Sequence, residues 1–354
     1  MGPLSRERLK QEQLDPRQIG ARYGVRFLLD GSVRCHHGKI LVGVRLTDTT
    51  TGAHVWAETY KPRVDQKDLF EIEQDISLKV LGATIDVHGM IHRTMARELN
   101  GVSPGNPSVH QAMLKFYHYL RTGTEDRFKD ATMALENAVK SAPDNELATA
   151  ALGGMCADEF LIFSGSKDYL KRALALVEDA YRLNPNDYVV QFIRAYVYFY
   201  TRDQDTFLAA LELAVRTNPN ISTNGELALY CAYAGHADRA VALFERARYL
   251  NPHIPGYYYL TPFMAHAYPG EYEQALSEAL QIRIPALFMD PIARAVALGY
   301  LGRQTEAGTA VAELRQLVPD FEDTGRELIQ RIWRYEQPVA LLIEGLRKAG
   351  MALI

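Results

Sequence analysis

The chain has 354 residues, 47% hydrophobic and 23% charged, an ordinary globular composition with room for about two domains. Lys and Arg total 39 against 43 Asp and Glu, a formal net charge of −4, so no overall basic excess marks a nucleic-acid binder. Cys35, Cys156 and Cys231 have wide, unrelated spacings that suggest neither a disulfide framework nor a zinc-binding CxxC pair, and a reducing compartment fits them.

The opening residues Met1–Arg6 lack the apolar core of a secretory signal. No uninterrupted apolar run approaches the ~20 residues of a membrane span. The expectation is a cytoplasmic chain that contacts neither membrane nor nucleic acid.

A small α/β module is expected over residues 1–100. Pro16 follows an Asp15 cap, so a short helix starts there, and Gly24 stops it. Val25, Phe27 and Leu29 alternate with Arg26, Leu28 and Asp30 as in a strand. His36-His37-Gly38 supplies a turn, and Ile40, Val42, Val44 and Leu46 alternate strictly in a second strand. Thr49–Gly52 turns the chain again into a third strand, His54–Tyr60, ended by Pro62. The period then changes: Leu69, Ile72, Ile76, Val80, Ala83 and Val87 fall three or four apart, one helix face able to cover the sheet. No strand precedes the first helix, so further module sequence is expected upstream.

Ser103-Pro104-Gly105-Asn106-Pro107 reads as a linker, placed at 101–108. Beyond it a repeat takes over. Pro143, Pro185, Pro219, Pro252, Pro285 and Pro319 are separated by 42, 34, 33, 33 and 34 residues, the period of tetratricopeptide (TPR) helix pairs. Small and apolar residues recur at fixed distances before the proline: Ala131, Leu135 and Ala138; Ala173, Val177 and Ala180; Ala240, Phe244 and Ala247; Ala307, Val311 and Leu314. Phe207 stands where one repeat should have Ala, and Pro285 falls early for its helix. The longest gap places its extra residues around Leu161–Lys167. Antiparallel helices approach closely only where facing side chains are small, and no pair buries its face alone. The fold class is therefore mainly α: a TPR solenoid over 109–354, about six helix pairs from Val109 to Pro319. A capping pair is expected around Leu328, Ile332, Leu341, Leu342 and Leu346, broken at Pro338.

The stretches Gly24–Arg34, Arg45-Leu46-Thr47-Asp48 and Thr51–Glu58 resemble the second half of the TolB-N-terminal-like domain of bacterial class III adenylate/guanylate cyclase-like proteins with TPR tails. The same pairing follows winged-helix domains in HilA-type transcriptional regulators. Glu344–Gly350 is similar to the ends of the cyclase-type chains. The resemblance implies a regulatory region whose output domain, cyclase or winged helix, lies upstream, and it carries over no catalytic or DNA-reading residue.

No cofactor motif, phosphate loop or Gly-x-Ser-x-Gly elbow occurs, and a non-enzymatic chain is expected. His88 and His92 share a helix face as zinc ligands do, but without a third ligand they read as a solvated face. Cys35-His36-His37 reads as a plain hairpin end. One pattern rises above scaffold. Two residues before Gly235, Gly270 and Gly302 stand Tyr233, Tyr268 and Tyr300, and Tyr200 holds the same position before Arg202. At this register they form a ladder along the concave groove, joined by Phe192, Tyr196 and Tyr257. The ladder is expected to be partly exposed and to bind a protein or peptide partner, or alternatively a small-molecule ligand. The competing reading is tyrosine used as helix packing.

Overall fold

A computed structural model describes residues 14–36, 39–62, 68–86, 89–98, 108–284 and 287–353. The chain divides into two compact units, Met1–Asn100 and Gly101–Ile354.

The first described element is α1 (Pro16–Tyr23), capped by the Asp15 carboxylate on the Gln18 amide and ended by Gly24 at φ 62°. β1 (Phe27–His36), β2 (Lys39–Asp48) and β3 (His54–Tyr60) form an antiparallel sheet in sequence order. Leu29 faces Leu46, which faces Trp56 in turn, and Val44 and Leu46 are buried. Thr49 ties the helix to the sheet. Its hydroxyl lies 2.6 and 2.9 Å from the Val25 and Arg26 carbonyls, and Gly20 leaves it room. α2 (Leu69–Thr84) buries Ile72, Val80 and Ala83 but exposes Leu69, and α3 (Met90–Glu98) follows. The expected positions Val87, His88, His37 and Gly38, like Ser103–Pro107 and Pro285, lie outside the described residues.

The second unit is a stack of six antiparallel helix pairs. They are α4 (Val109–Thr122) with α5 (Glu125–Ser141), α6 (Glu146–Asp158) with α7 (Lys167–Leu183), and α8 (Tyr188–Thr201) with α9 (Gln204–Thr217). Then come α10 (Asn224–Tyr233) with α11 (Ala237–Leu250), α12 (Leu260–Ala267) with α13 (Tyr272–Ala279), and α14 (Met289–Tyr300) with α15 (Gln304–Leu317). Every small or apolar position read from the period is buried, from Ala131 through Leu314. Phe207 is buried too, edge-on to Phe199 at 5.6 Å. The turn glycines Gly235, Gly270 and Gly302 all take positive φ, and Arg202 adopts the same conformation at 64°. The extra residues of the long repeat extend α6 by a π-helical turn, Glu159–Ser164. Glu146–Ser164 is long and apolar enough to cross a membrane, yet 72% of that apolar window is buried inside the fold.

The C-terminal helices differ from the expected cap. Pro338 does not break the pair: it lies in the first turn of α17 (Glu336–Lys348), where its missing N–H has no intrahelical acceptor to lose. The break falls at Arg334, φ 58°. α17 packs along α14, where Gly299 and Gly345 let the backbones meet; a Cβ on Gly299 would lie 2.4 Å from the Gly345 carbonyl oxygen. α16 (Phe321–Trp333) instead brings its C-terminal end, with the Arg334–Tyr335 link, against the first helices of the middle repeats. Trp333 meets Tyr233 at 5.5 Å between ring centroids, Tyr335 meets Phe199 at 5.6 Å, and Arg202 donates to the Arg334 carbonyl at 2.8 Å.

Candidate functional site

The first helices α4, α6, α8 and α10 surround a cavity of about 230 Å³, closed on one side by Ile332 of α16 and on another by Ile284, Leu287 and Met289. Its wall is largely apolar because α6 and α10 carry long uncharged runs. α6 is buried over Ala148–Asp158 and α10 along its whole length. Gly154 thins the wall, its missing Cβ leaving space 3.4 Å from Ile193.

Into this wall the sequence sets two acids. Asp158 ends α6 and accepts hydrogen bonds from the hydroxyls of Tyr196 on α8 and Tyr119 on α4. Glu226 lies in the first turn of α10 and accepts from Tyr230, one turn on, and from Tyr257, each at 3.1 Å. Tyr257 belongs to a 3-10 turn, Gly256–Tyr259, that reaches α10 because Gly225 has no side chain; a Cβ there would lie 2.5 Å from the Tyr258 ring. Desolvation outweighs the phenol hydrogen bonds in both cases. Burial pushes Asp158 up to about 6 and Glu226 to about 7. Among the described residues neither carboxylate has an ion-pair partner. The same burial drives the hydroxyls of Tyr119, Tyr196, Tyr230 and Tyr257 well above the ordinary phenol range, so they stay donors.

Of the seven aromatic residues read as a groove, five line this cavity: Phe192, Tyr196, Tyr200, Tyr233 and Tyr257. Tyr196, Tyr200 and Tyr230 stack edge-to-face and tilted at 5.2 to 6.2 Å. Tyr268 and Tyr300 stand apart. The Tyr268 hydroxyl donates to the Ala232 carbonyl at 2.9 Å. Tyr300 stacks on Tyr272 at 4.2 Å and donates to the Leu341 carbonyl on α17. The expected partial exposure fails for Tyr200 and Tyr233, only 2% and 1% exposed, because α16 covers the groove above them. The Tyr233 hydroxyl is buried without a hydrogen-bond partner.

Asp158, Glu226, Tyr119 and Tyr230 escaped the sequence reading. The available signal was an acid at the edge of each of two uncharged runs, Asp158 after Leu147–Ala157 and Glu226 before Leu227–Ala234. The other chemical candidates are only partly described, His88 and His37 lying outside the described residues. His92 bonds the Asp86 carbonyl at 2.9 Å, and no metal-holding group of three or more His, Cys, Asp or Glu occurs among the described residues. Burial raises the Cys156 thiol to about 11 and Cys231 to about 12, so both stay protonated.

No protein-family model matches the chain. Over 170 residues it is 25% identical to the protein described as "Putative adenylate cyclase 3" of Rhizobium meliloti (strain 1021), covering 47% of this chain and 28% of that protein. The chain therefore spans about a quarter of the length of the curated relative it matches. Among solved structures it is similar to YrrB, described as a TPR protein with an unusual peptide-binding site, at 18% identity and TM-score 0.35, over 53% of this chain and 94% of that one. A TPR protein of Parabacteroides merdae matches at 16% identity and TM-score 0.40, over 68% of this chain and 92% of that one. The fold itself is a TPR solenoid preceded in sequence by a small three-stranded unit.

Proposed function

We propose that this chain is a non-catalytic regulatory module: its solenoid receives a protein or peptide partner on the concave face and conveys that occupancy to a linked signalling output, cyclase or DNA-binding. The observation that carries the reading is the cavity among the first helices of the repeats, walled by tyrosines and holding two acids that make no ion pair among the described residues. A stack of helix pairs is suited to binding. The partial likeness to a cyclase-class protein supports a signalling context.

A second reading, a small-ligand sensor, draws on one observation: Ile332 at the end of α16 helps bound a cavity of about 230 Å³ where an open groove was expected. Such a space suits one anchoring side chain or one small molecule. Affinity capture with the full chain, using Asp158→Asn/Glu226→Gln as the comparison bait, tests the partner reading. A specific protein retained by the wild type and lost from the variant supports it; no difference between baits counts against it. Native mass spectrometry of the purified chain tests for a retained small molecule.

A further inference from the structure

The buried polar groups of this cavity have one feature in common: Asp158, Glu226 and the tyrosine hydroxyls beside them are suited to a positive charge. Asp158 and Glu226 are 8% and 9% exposed, and each is steadied by two tyrosine hydroxyls that can only lend hydrogen bonds, not charge. Around them stand aromatic faces: Tyr119, Phe192, Tyr196, Tyr200, Tyr230 and Tyr257. Buried carboxylates kept for packing alone are poor stabilisers, since apolar residues of similar volume do as well or better. An aromatic box with acids at its wall is the arrangement that attracts a desolvated ammonium through ring quadrupoles and charge together. The Tyr233 hydroxyl, buried and unpartnered on the same wall, adds an acceptor for an N–H donor.

We propose that the cavity binds an alkylammonium group, held between the carboxylates of Asp158 and Glu226 inside the tyrosine box. The inference rests on the concave-face reading and names the chemistry that enters. A lysine side chain, a peptide N-terminus and a free aliphatic amine all carry that group. Cation binding must draw protons off the two acids, which burial holds near about 6 and about 7. Amine affinity therefore rises from pH 6 to 8, while the amine itself stays charged, with an ordinary pKa of ~10. The titratable and charged groups facing the acids are Tyr119 and Tyr196 at Asp158, Tyr230 and Tyr257 at Glu226, the two acids on one another, and Tyr200 and Tyr233 on the wall. Arg121 lines the rim from the exposed end of α4 and is the one cation among the described lining residues.

The test is calorimetric titration of the full chain near pH 8 with four probes: butylammonium, 1-butanol of the same shape, an acetylated five-residue peptide with a central lysine, and its acetyl-lysine counterpart. Butylammonium should bind at least tenfold more tightly than butanol. Asp158→Asn/Glu226→Gln, whose amides keep the shape and the tyrosine contacts, should lose at least tenfold for every ammonium probe. Preference for the lysine peptide over butylammonium identifies a protein partner as the source; the reverse identifies a free amine. Equal or tighter binding of butanol, affinity that falls between pH 6 and 8, or no ammonium binding at millimolar concentration overturns the inference. The partner reading falls separately, on the capture experiment, which makes no assumption about the charge of what binds.

Discussion

Tyr233 and Tyr268 occupy the same step of consecutive repeats, each two residues before a turn glycine, yet their surroundings differ. Tyr233 is fully buried between Phe199 and Trp333, whereas Tyr268 is half-buried and donates its hydroxyl to the preceding first helix. The difference lies in α16, which folds back over the middle repeats and leaves the later ones to pack against neighbours and α17. Equal register thus fixes the direction of a side chain and leaves its exposure to whatever covers the face.

Truncation breaks this comparison most forcefully. Tyr233→Ala should cost ~3–5 kcal/mol, as expected for deleting a buried aromatic ring. Tyr268→Ala should cost less, ~1–2 kcal/mol, because part of its surface is already in water. Urea denaturation followed by circular dichroism measures both, and equal losses would mean that α16 does not cover the middle of the groove. Gly299→Ala probes the other C-terminal contact. The new methyl would meet backbone atoms of α17, which cannot swing aside, so a loss of ~1–3 kcal/mol is expected.

A third outcome concerns pH. Asp158 and Glu226 have ordinary values of 3.8 and 4.5 and native values of about 6 and about 7. Between these limits the native chain holds protons that the unfolded chain has released, so their contribution to stability falls as pH rises through the window. Once ionised, each costs the native state on the order of 3 kcal/mol at ~1.4 kcal/mol per pH unit. Asp158→Asn/Glu226→Gln should therefore gain stability relative to wild type as pH goes from about 5 to about 8. A difference that stays flat across that range would place both acids in water.

The repeat was legible because it obeys a local rule: small residues at close contacts, a glycine at the turn and a proline past the second helix recur whatever the neighbours do. The concave aromatic positions followed from the same register, and five of the seven meet in one cavity. Asp158 and Glu226 were not legible because what sets them apart is desolvation, and that comes from helices distant in sequence. Tyr119 and Tyr196 reach Asp158 from 39 and 38 positions away, and Tyr257 reaches Glu226 from 31. The path of α16 was hidden for a like reason. Leu328 and Ile332 at helical spacing show an apolar face, which would serve a cap or a groove equally well.

The smallest effect is the sharpest test of how the two tyrosines differ. Removing only the hydroxyl of Tyr268 deletes its bond to the Ala232 carbonyl, so Tyr268→Phe should lose ~0.5–1.5 kcal/mol. The Tyr233 hydroxyl has no hydrogen-bond partner among the described residues, and burying an unmade hydrogen bond is unfavourable. Tyr233→Phe should therefore be neutral or slightly stabilising, by up to ~1 kcal/mol, although the ring is indispensable. The same variant should weaken butylammonium binding if that hydroxyl is the free acceptor of the cavity. Stability gained together with affinity lost would identify a polar group retained for a ligand. A loss of stability comparable to that of Tyr268→Phe would mean that the hydroxyl is bonded within the protein in solution.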